Sequence, residues 1–410
     1  MKEFKVAIIG GGPAGMIAAI AASKNSDSVI LLEKTDSLGK KLLLTGGGRC
    51  NITNGSSIKE HLKLSNNFLK HSFYSFSNDD LLDFFKSKGI DFQEESYKNV
   101  FPKNKNAQDI LNVLENTLNN LNVDIELSFK VGKIIKKNDY FIINDTIKAR
   151  NIIIATGGIT YPSTGSSGDG YKIVKTFNHD ISEIKYGLVP LVSKNLYLTA
   201  LSGTPLDNIL VKYKKSSSSK TVLISHFGLT GPGILDLSSE ISKNLTYDIL
   251  NYETKFPDNL NISIDFQPKI NRDELNNKII NEIPLNGKTK IKNYLKTYLS
   301  NKLIDFFLNE INVNGDNTLS NISKKDKNKI IENLKGFNIK IDGLYKDLSK
   351  VTIGGIPTNE INPKTMESKI VKNLYFAGEI LEPASISGGY NLQIAFSTGH
   401  LAGSVINEKN

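Results

Sequence analysis

An α/β chain is predicted: a parallel sheet whose strands alternate with helices, interrupted by a long inserted segment. Three stretches carry that expectation. VAIIGGGPAGMIAAIAA followed by VILLEK reads as strand, Gly-rich turn, small-residue helix and second strand. NIIIATGG is an apolar strand that runs into another Gly-rich turn. NLYFAGE with GGYNLQIAFSTG repeats strand, turn and helix near the C-terminus, so the last residues return to the sheet that the first ones begin.

The first turn has a reason at each position. Gly10 lets the chain leave the strand tightly, Gly12 lets backbone approach a pyrophosphate, and Gly15 lets the helix pack closely on the sheet. The helix start offers unpaired N–H groups and partial positive charge to phosphate. Glu33 ends the second strand about 20 residues on, where an acid takes ribose hydroxyls. An empty Gly-rich turn explains the glycines but not the flanking strand, helix and acid, so the pattern predicts a dinucleotide site.

Residues 58–120 read as mainly helical, with LLDFFKSKGI and AQDILNVLENTLNNL apolar at helical spacing. Val123 to Ile154 alternates in short runs, a β-meander returning to the main sheet. From Leu191 the runs NILVKY, TVLISHF and NISIDF are β-like, and KKSSSSK is a hairpin tip or a mobile loop. Residues 272–342 are polar and periodic, a small helical group. The expected division is 1–190 with 346–410 as a discontinuous nucleotide domain, 191–271 as a β-rich insert and 272–345 as a helical one.

The net charge of +9 raises the question of nucleic acid, but only Arg49, Arg150 and Arg272 among 51 basic residues are arginine. Arginine is the residue suited to bidentate phosphate and base reading, so no nucleic-acid partner is expected. Cys50 is the sole cysteine, which excludes an intrachain disulfide, a CxxC redox pair and a thiolate cage. His61, His71, His179, His226 and His400 show no ligand spacing, so no metal is expected. No run approaches a membrane span and no signal pattern precedes the first strand, which sets the expectation of a cytoplasmic protein.

Candidate site residues cluster in four places. In LTGGGRCNITN, Gly46, Gly47 and Gly48 free the backbone to present amides to an anion, with the Arg49 charge beside them, against the plainer reading of a surface turn. Cys50 is expected as a small buried residue rather than a reactive thiol. Thr156 and Gly157 stand at a strand's C-terminal end, and Asp169 either holds a ribose or ribitol hydroxyl or caps its helix. Glu379 ends the last strand, where an acid suits a hydroxyl-rich linker. Gly389, Tyr390 and Asn391 then open a second helix whose positive end suits a reduced flavin. Tyr161, His226 and Tyr390 are candidates for catalysis, weighed against roles as packing aromatics or a satisfied histidine.

Six motifs taken in order resemble one family: GGGPAG, GKKLLLTGGGRCNITN, ATGGITYPSTGSSGDGY, HFGLTGPG, TIGGI with TMESK, and LYFAGE with GGYNLQIAFSTG. They are similar to the BaiN/YhiN-type flavoproteins, which include aminoacetone-oxidase-like FAD-binding enzymes. The resemblance implies a discontinuous Rossmann-like FAD-binding domain with an inserted small β-barrel and helical subdomain. It also implies that Gly10, Gly12, Ala14, Gly15, Glu33, Lys41, Asn51, Glu379, Asn391 and Leu392 touch FAD, with Val131 at the adenine. Pro13, Lys34, Lys40 and Gly378, adjoining these positions, complete the cofactor-binding set.

Members are described both as NAD(P)H-linked reductases of small unsaturated compounds and as oxidases of small amines. The expectation is an FAD-dependent oxidoreductase exchanging a hydride between flavin and a small molecule, first as an NAD(P)H-linked reductase. The alternatives are an oxidase of an amine such as aminoacetone, an RNA-modifying flavoprotein and a flavin redox sensor. No second GxGxxG is present, so a nicotinamide would bind transiently over the flavin or not at all.

Overall fold

Strands covered on both faces lose their alternation and become unbroken apolar runs, and four such runs build the sheet that positions the site. In the computed structural model, which describes residues 1–248, 253–257 and 260–407, the chain forms two units, Met1–Tyr186 with Lys350–Asn410, and Gly187–Ser349. Residues 249–252, 258–259 and 408–410 of the expected 191–271 and 346–410 segments lie outside the described residues.

The first unit holds β1 (Lys2–Ile9), α1 (Pro13–Ala22), β2 (Val29–Leu32), α2 (Ala107–Asn120), β3 (Asp124–Glu126), β4 (Ile134–Lys137), β5 (Tyr140–Ile143), β6 (Ile147–Ile154), α3 (Asp169–Lys175), β7 (Leu374–Phe376) and α4 (Tyr390–Ser404). The sheet order is β3-β2-β1-β6-β5-β4, with β7 pairing β6. β3, β2, β1, β6 and β7 run parallel, and β4–β5–β6 form the antiparallel meander. Register shapes one edge of this sheet. Ile9 pairs with Leu32 and Ile154, and Ile154 with Phe376, so four parallel strands end level and release their next residues together.

α1 and α4 lie against each other at backbone distance. A Cβ on Gly399 would meet the Ala14 carbonyl oxygen at 2.2 Å, and one on Gly403 would meet that of Ala18 at 2.2 Å. That contact explains the Ala-rich α1, buried from Ala14 through Ala22, where a larger side chain would force the helices apart.

The region read as mainly helical also contains two strands, Phe92–Glu94 and Asn99–Pro102, which form a three-stranded sheet with Thr53–Asn54 just before it. In the second unit, two antiparallel sheets of five and four strands stand with four longer helices, Pro232–Lys243, Arg272–Leu285, Asn301–Glu310 and Lys324–Gly336. KKSSSSK is a hairpin turn, with Tyr213 paired to Ser216. The helical run stops at Gly336, and Phe337–Lys340 is a strand paired to Asn261–Asp265.

Candidate functional site

The level strand ends open into a cleft in the first unit, the place where open parallel sheets bind ligands. β1 delivers Gly10, Gly12, Pro13 and Ala14 to its wall; β2 delivers Glu33 and Lys34; β6 delivers Thr156 and Gly157. β7 adds Glu379, the segment before β4 adds Val131, and the starts of α3 and α4 add Asp169, Asn391 and Leu392. Lys40 and Lys41 complete the expected lining residues.

At the first turn, α1 begins after Gly12 with no side-chain cap and no acidic residue in its first turn. A Cβ on Gly12 would have nothing within 4 Å, so there is open room beside unpaired helix amides. Gly15 lies inside α1 rather than on the wall. Its Cβ would fall 1.8 Å from the Gly10 carbonyl oxygen, so its hydrogen side chain holds turn and helix together. Glu33 Oε2 accepts from Gly11 N and Oε1 from Thr35 N, both at 2.7 Å. Each oxygen keeps a lone pair for a hydroxyl.

Asp169 is the first residue of α3, and the N-cap is Gly168, which makes no side-chain cap bond. The capping alternative is therefore not what the structure shows. Asp169 Oδ2 accepts from Lys34 Nζ at 2.9 Å and from Ser167 Oγ at 3.0 Å. The Lys34 hydrogen bond is the main influence holding its carboxyl below the usual range, against a smaller opposing effect of burial. Lys40 pairs at 2.6 Å with exposed Asp36.

Glu379 is more occupied than an isolated hydroxyl acceptor. Lys41 Nζ donates to its Oε2 at 2.6 Å, while Thr160 Oγ1 at 3.2 Å and Thr352 N at 2.7 Å donate to Oε1. Lys41 also donates to Thr160 Oγ1 at 2.7 Å.

α4 starts at Tyr390 after Gly389, again without a side-chain cap. Asn391 ties the loop before it, accepting from Ser385 N at 2.9 Å and donating to Ser385 O at 3.0 Å. Gly378 sits behind the wall, its N–H donated to Thr398 Oγ1 at 2.9 Å.

Several expected residues stand elsewhere. Gly46 and Gly47 are exposed, and Thr45 is the residue this loop contributes to the cleft wall. Arg49 is engaged by Glu95 at 2.5 Å, and its guanidinium lies 4.2 Å from the centre of the Phe101 ring, so its charge is not aimed at the amides beside it. Cys50 is fully buried in the apolar core, and burial pushes its thiol up to about 12. It packs in the core and is not among the residues of the cleft wall. Tyr390 is buried too, its hydroxyl 3.3 Å from Ser56 Oγ and its ring 4.7 Å from His61, which leaves packing as its role rather than catalysis. His226 is exposed at a hairpin turn of the second unit, edge-on to Phe227. Asn51 lies outside the cleft wall, but its Oδ1 is buried without a hydrogen-bond partner.

Tyr161 holds a left-handed backbone, φ 58° and ψ 59°, which is unfavourable for a bulky residue. Its hydroxyl accepts from Lys350 Nζ at 2.5 Å. Lys350 lines the cleft, and the sequence reading misses it. It is one lysine of many, and only its place just before VTIGGI marks it.

The lining suits a long, doubly negative, hydroxyl-rich ligand. Two uncapped helix starts and five lysines supply positive charge, and Glu33, Asp169 and Glu379 supply acceptors. Thr156 Oγ1 is buried on the wall with no hydrogen-bond partner, an unmet donor of the sort that a cofactor oxygen satisfies. FAD fits this set. Among the described residues no three His, Cys, Asp or Glu side chains are grouped to hold a metal, and no helix is long and apolar enough to cross a membrane.

The chain is similar to several known proteins. The ribosomal RNA dihydrouridine synthase of Escherichia coli is 29% identical over 408 residues, 97% of this chain and 96% of that one. The 3-dehydro-bile acid delta(4,6)-reductase of Clostridium scindens is 28% identical over 420 residues, covering 99% of each. The open conformation of a flavocytochrome c3 fumarate reductase aligns with 98% of this chain and 78% of its own, at 16% identity and a TM-score of 0.48. The profile of the HI0933-like protein Rossmann domain matches residues 4–405. The chain therefore belongs to the HI0933-like Rossmann family of FAD-binding flavoproteins, and it is an FAD-dependent oxidoreductase.

Proposed function

We propose that this protein is a reductase that delivers a hydride from reduced FAD to a carbon–carbon double bond conjugated with a carbonyl. The observation that carries the reading is the pair of uncapped helix starts facing one cleft, α1 for the pyrophosphate and α4 for the ring. Glu33 then holds the adenosine ribose, Val131 borders the adenine, and Glu379 with Lys41 holds the ribityl chain. The start of α4 stabilises negative charge on the reduced ring, which favours two-electron transfer. Once reduced, bound FAD would supply the hydride, and this chain's residues would orient it, exclude water and manage the proton. The Escherichia coli and Clostridium scindens relatives both carry names for reductions of this kind.

A nicotinamide is the proposed electron source, bound transiently. Anaerobic mixing with NADH and then NADPH tests this, and rapid bleaching of the flavin band is the expected result. Bleaching by aminoacetone alone, with colour restored by air, would replace this reading with that of an amine oxidase.

A second reading places the double bond in a uracil of ribosomal RNA. It is favoured by the name of the Escherichia coli relative and by the net charge of +9, against the scarcity of arginine. Mass analysis of rRNA from cells lacking this protein separates the two. Loss of a dihydrouridine selects RNA, and an unchanged rRNA selects a small enone.

A further inference from the structure

We propose that Tyr161 is the general acid of this reductase, delivering the proton that completes reduction of the double bond, and that Lys350 is its positioning partner. The inference rests on the double-bond reductase reading of the site.

Reducing a conjugated carbon–carbon double bond needs two transfers. A hydride carrying two electrons forms a C–H bond at the carbon remote from the carbonyl. The π bond breaks and its electron pair moves toward the carbonyl, leaving the near carbon to take a proton. FAD in its reduced form is the reductant. The proton must come from a side chain at or beside the cleft or from water, and a cysteine is ruled out because Cys50, the sole cysteine, is fully buried in the apolar core.

Tyr161 has the required features. It follows the β6 turn, between wall residues Gly157 and Thr164; it is not itself a wall residue and reaches the cleft edge through its contact with the wall residue Lys350. Its hydroxyl oxygen accepts from Lys350 Nζ at 2.5 Å. An ammonium only donates, so this contact leaves the phenolic hydrogen available for a substrate carbon. Once the proton leaves, the phenolate faces that same ammonium, whose Nζ is 5.2 Å from the ring centre; Lys41 Nζ stands at 6.0 Å. Lys41 itself is committed to Glu379 and Thr160, so Lys350 is the partner in direct contact. A bulky residue in the left-handed region is costly, and such cost concentrates at sites where a side chain has to be aimed. Water restores the proton after product leaves.

The test uses photoreduced wild-type and Tyr161→Phe holoprotein under anaerobic conditions, with 2-cyclohexenone and 1-nitrocyclohexene as probes. The nitro group stabilises the carbanion, so the nitroalkene takes the hydride without an acid. The expected result is that Tyr161→Phe keeps its FAD and visible band and is reoxidised by nitrocyclohexene near the wild-type rate, releasing the unprotonated nitronate. Reoxidation by cyclohexenone falls by about 100-fold or more. Lys350→Met keeps FAD and loses part of the cyclohexenone rate only. Equal loss with both probes, or no loss with either, would overturn the assignment. Failure of wild-type protein with both probes would instead overturn the reductase reading beneath it.

Discussion

Two glycine-rich turns, Gly10–Gly15 and Gly46–Cys50, look alike on paper and differ in the folded chain. The first is backed by a strand, a helix start and a neighbouring strand end, and it opens on room for a ligand. The second runs across the surface at Gly46 and Gly47, its arginine is held by Glu95 and Phe101, and its cysteine is sunk in the core. Glycine makes backbone amides reachable. What stands behind the turn decides whether they form a site.

The contrast can be broken in a graded way. Gly15→Val has the largest expected effect: with the Gly10 oxygen 1.8 Å from the new Cβ, stability should fall by about 3 kcal/mol and the protein should purify colourless. A yellow variant of unchanged melting temperature would show that turn and helix can separate. Glu33→Gln keeps the shape but weakens two charged hydrogen bonds, and FAD affinity measured by fluorescence quenching should drop roughly 10- to 100-fold.

Thr156→Val sharpens the comparison through opposite signs. Removing a buried hydroxyl without a partner should leave apoprotein stability unchanged or raised by about 1 kcal/mol, while FAD binds roughly fivefold more weakly. Losses in both would mean the hydroxyl serves the fold alone.

In the second turn, Cys50 should resist thiol reagents until the protein unfolds. Its folded thiol is raised to about 12 from 9.0, so the neutral form is favoured in the native state. Stability from this group is complete below the unfolded value and is lost as pH rises from about 9 toward about 12. Denaturant midpoints of wild type and Cys50→Ala across that window should converge as pH increases. Arg49→Ala is the smallest, with FAD affinity held within about twofold, since exposed ion pairs contribute little. A larger change would show that this loop also reaches the ligand.

The legible parts of the molecule are those written in consecutive residues. Strand, glycines and helix from Val6 to Ala22 lie side by side in sequence, so periodicity and turn chemistry reveal them together. The meander is legible for the same reason, although Asp124–Glu126 adds to the parallel edge through β2 instead of pairing within it. The strands at Thr53–Asn54, Phe92–Glu94 and Asn99–Pro102 are two to four residues long, too short for alternation to register. Phe337–Lys340 follows directly on a helix that ends at Gly336, so the change of period is hidden. The site residues missed have a different cause. Lys350 and Thr160 act through partners more than a hundred positions away, Tyr161 and Glu379, and no local pattern announces such pairings.

The contact between α1 and α4 also sets a timetable for biosynthesis. Roughly 370 residues separate Ala22 from Tyr390, so at about 5–20 residues per second the ribosome delivers the second helix some 20–70 s after the first. Through that interval α1 emerges with one apolar flank uncovered, and β6 awaits its β7 neighbour. Nascent chains halted before the final segment should therefore recruit chaperones and fail to retain flavin, whereas Gly187–Ser349 has already been released in full. Synthesis of the α4 segment is the event that completes the cofactor site.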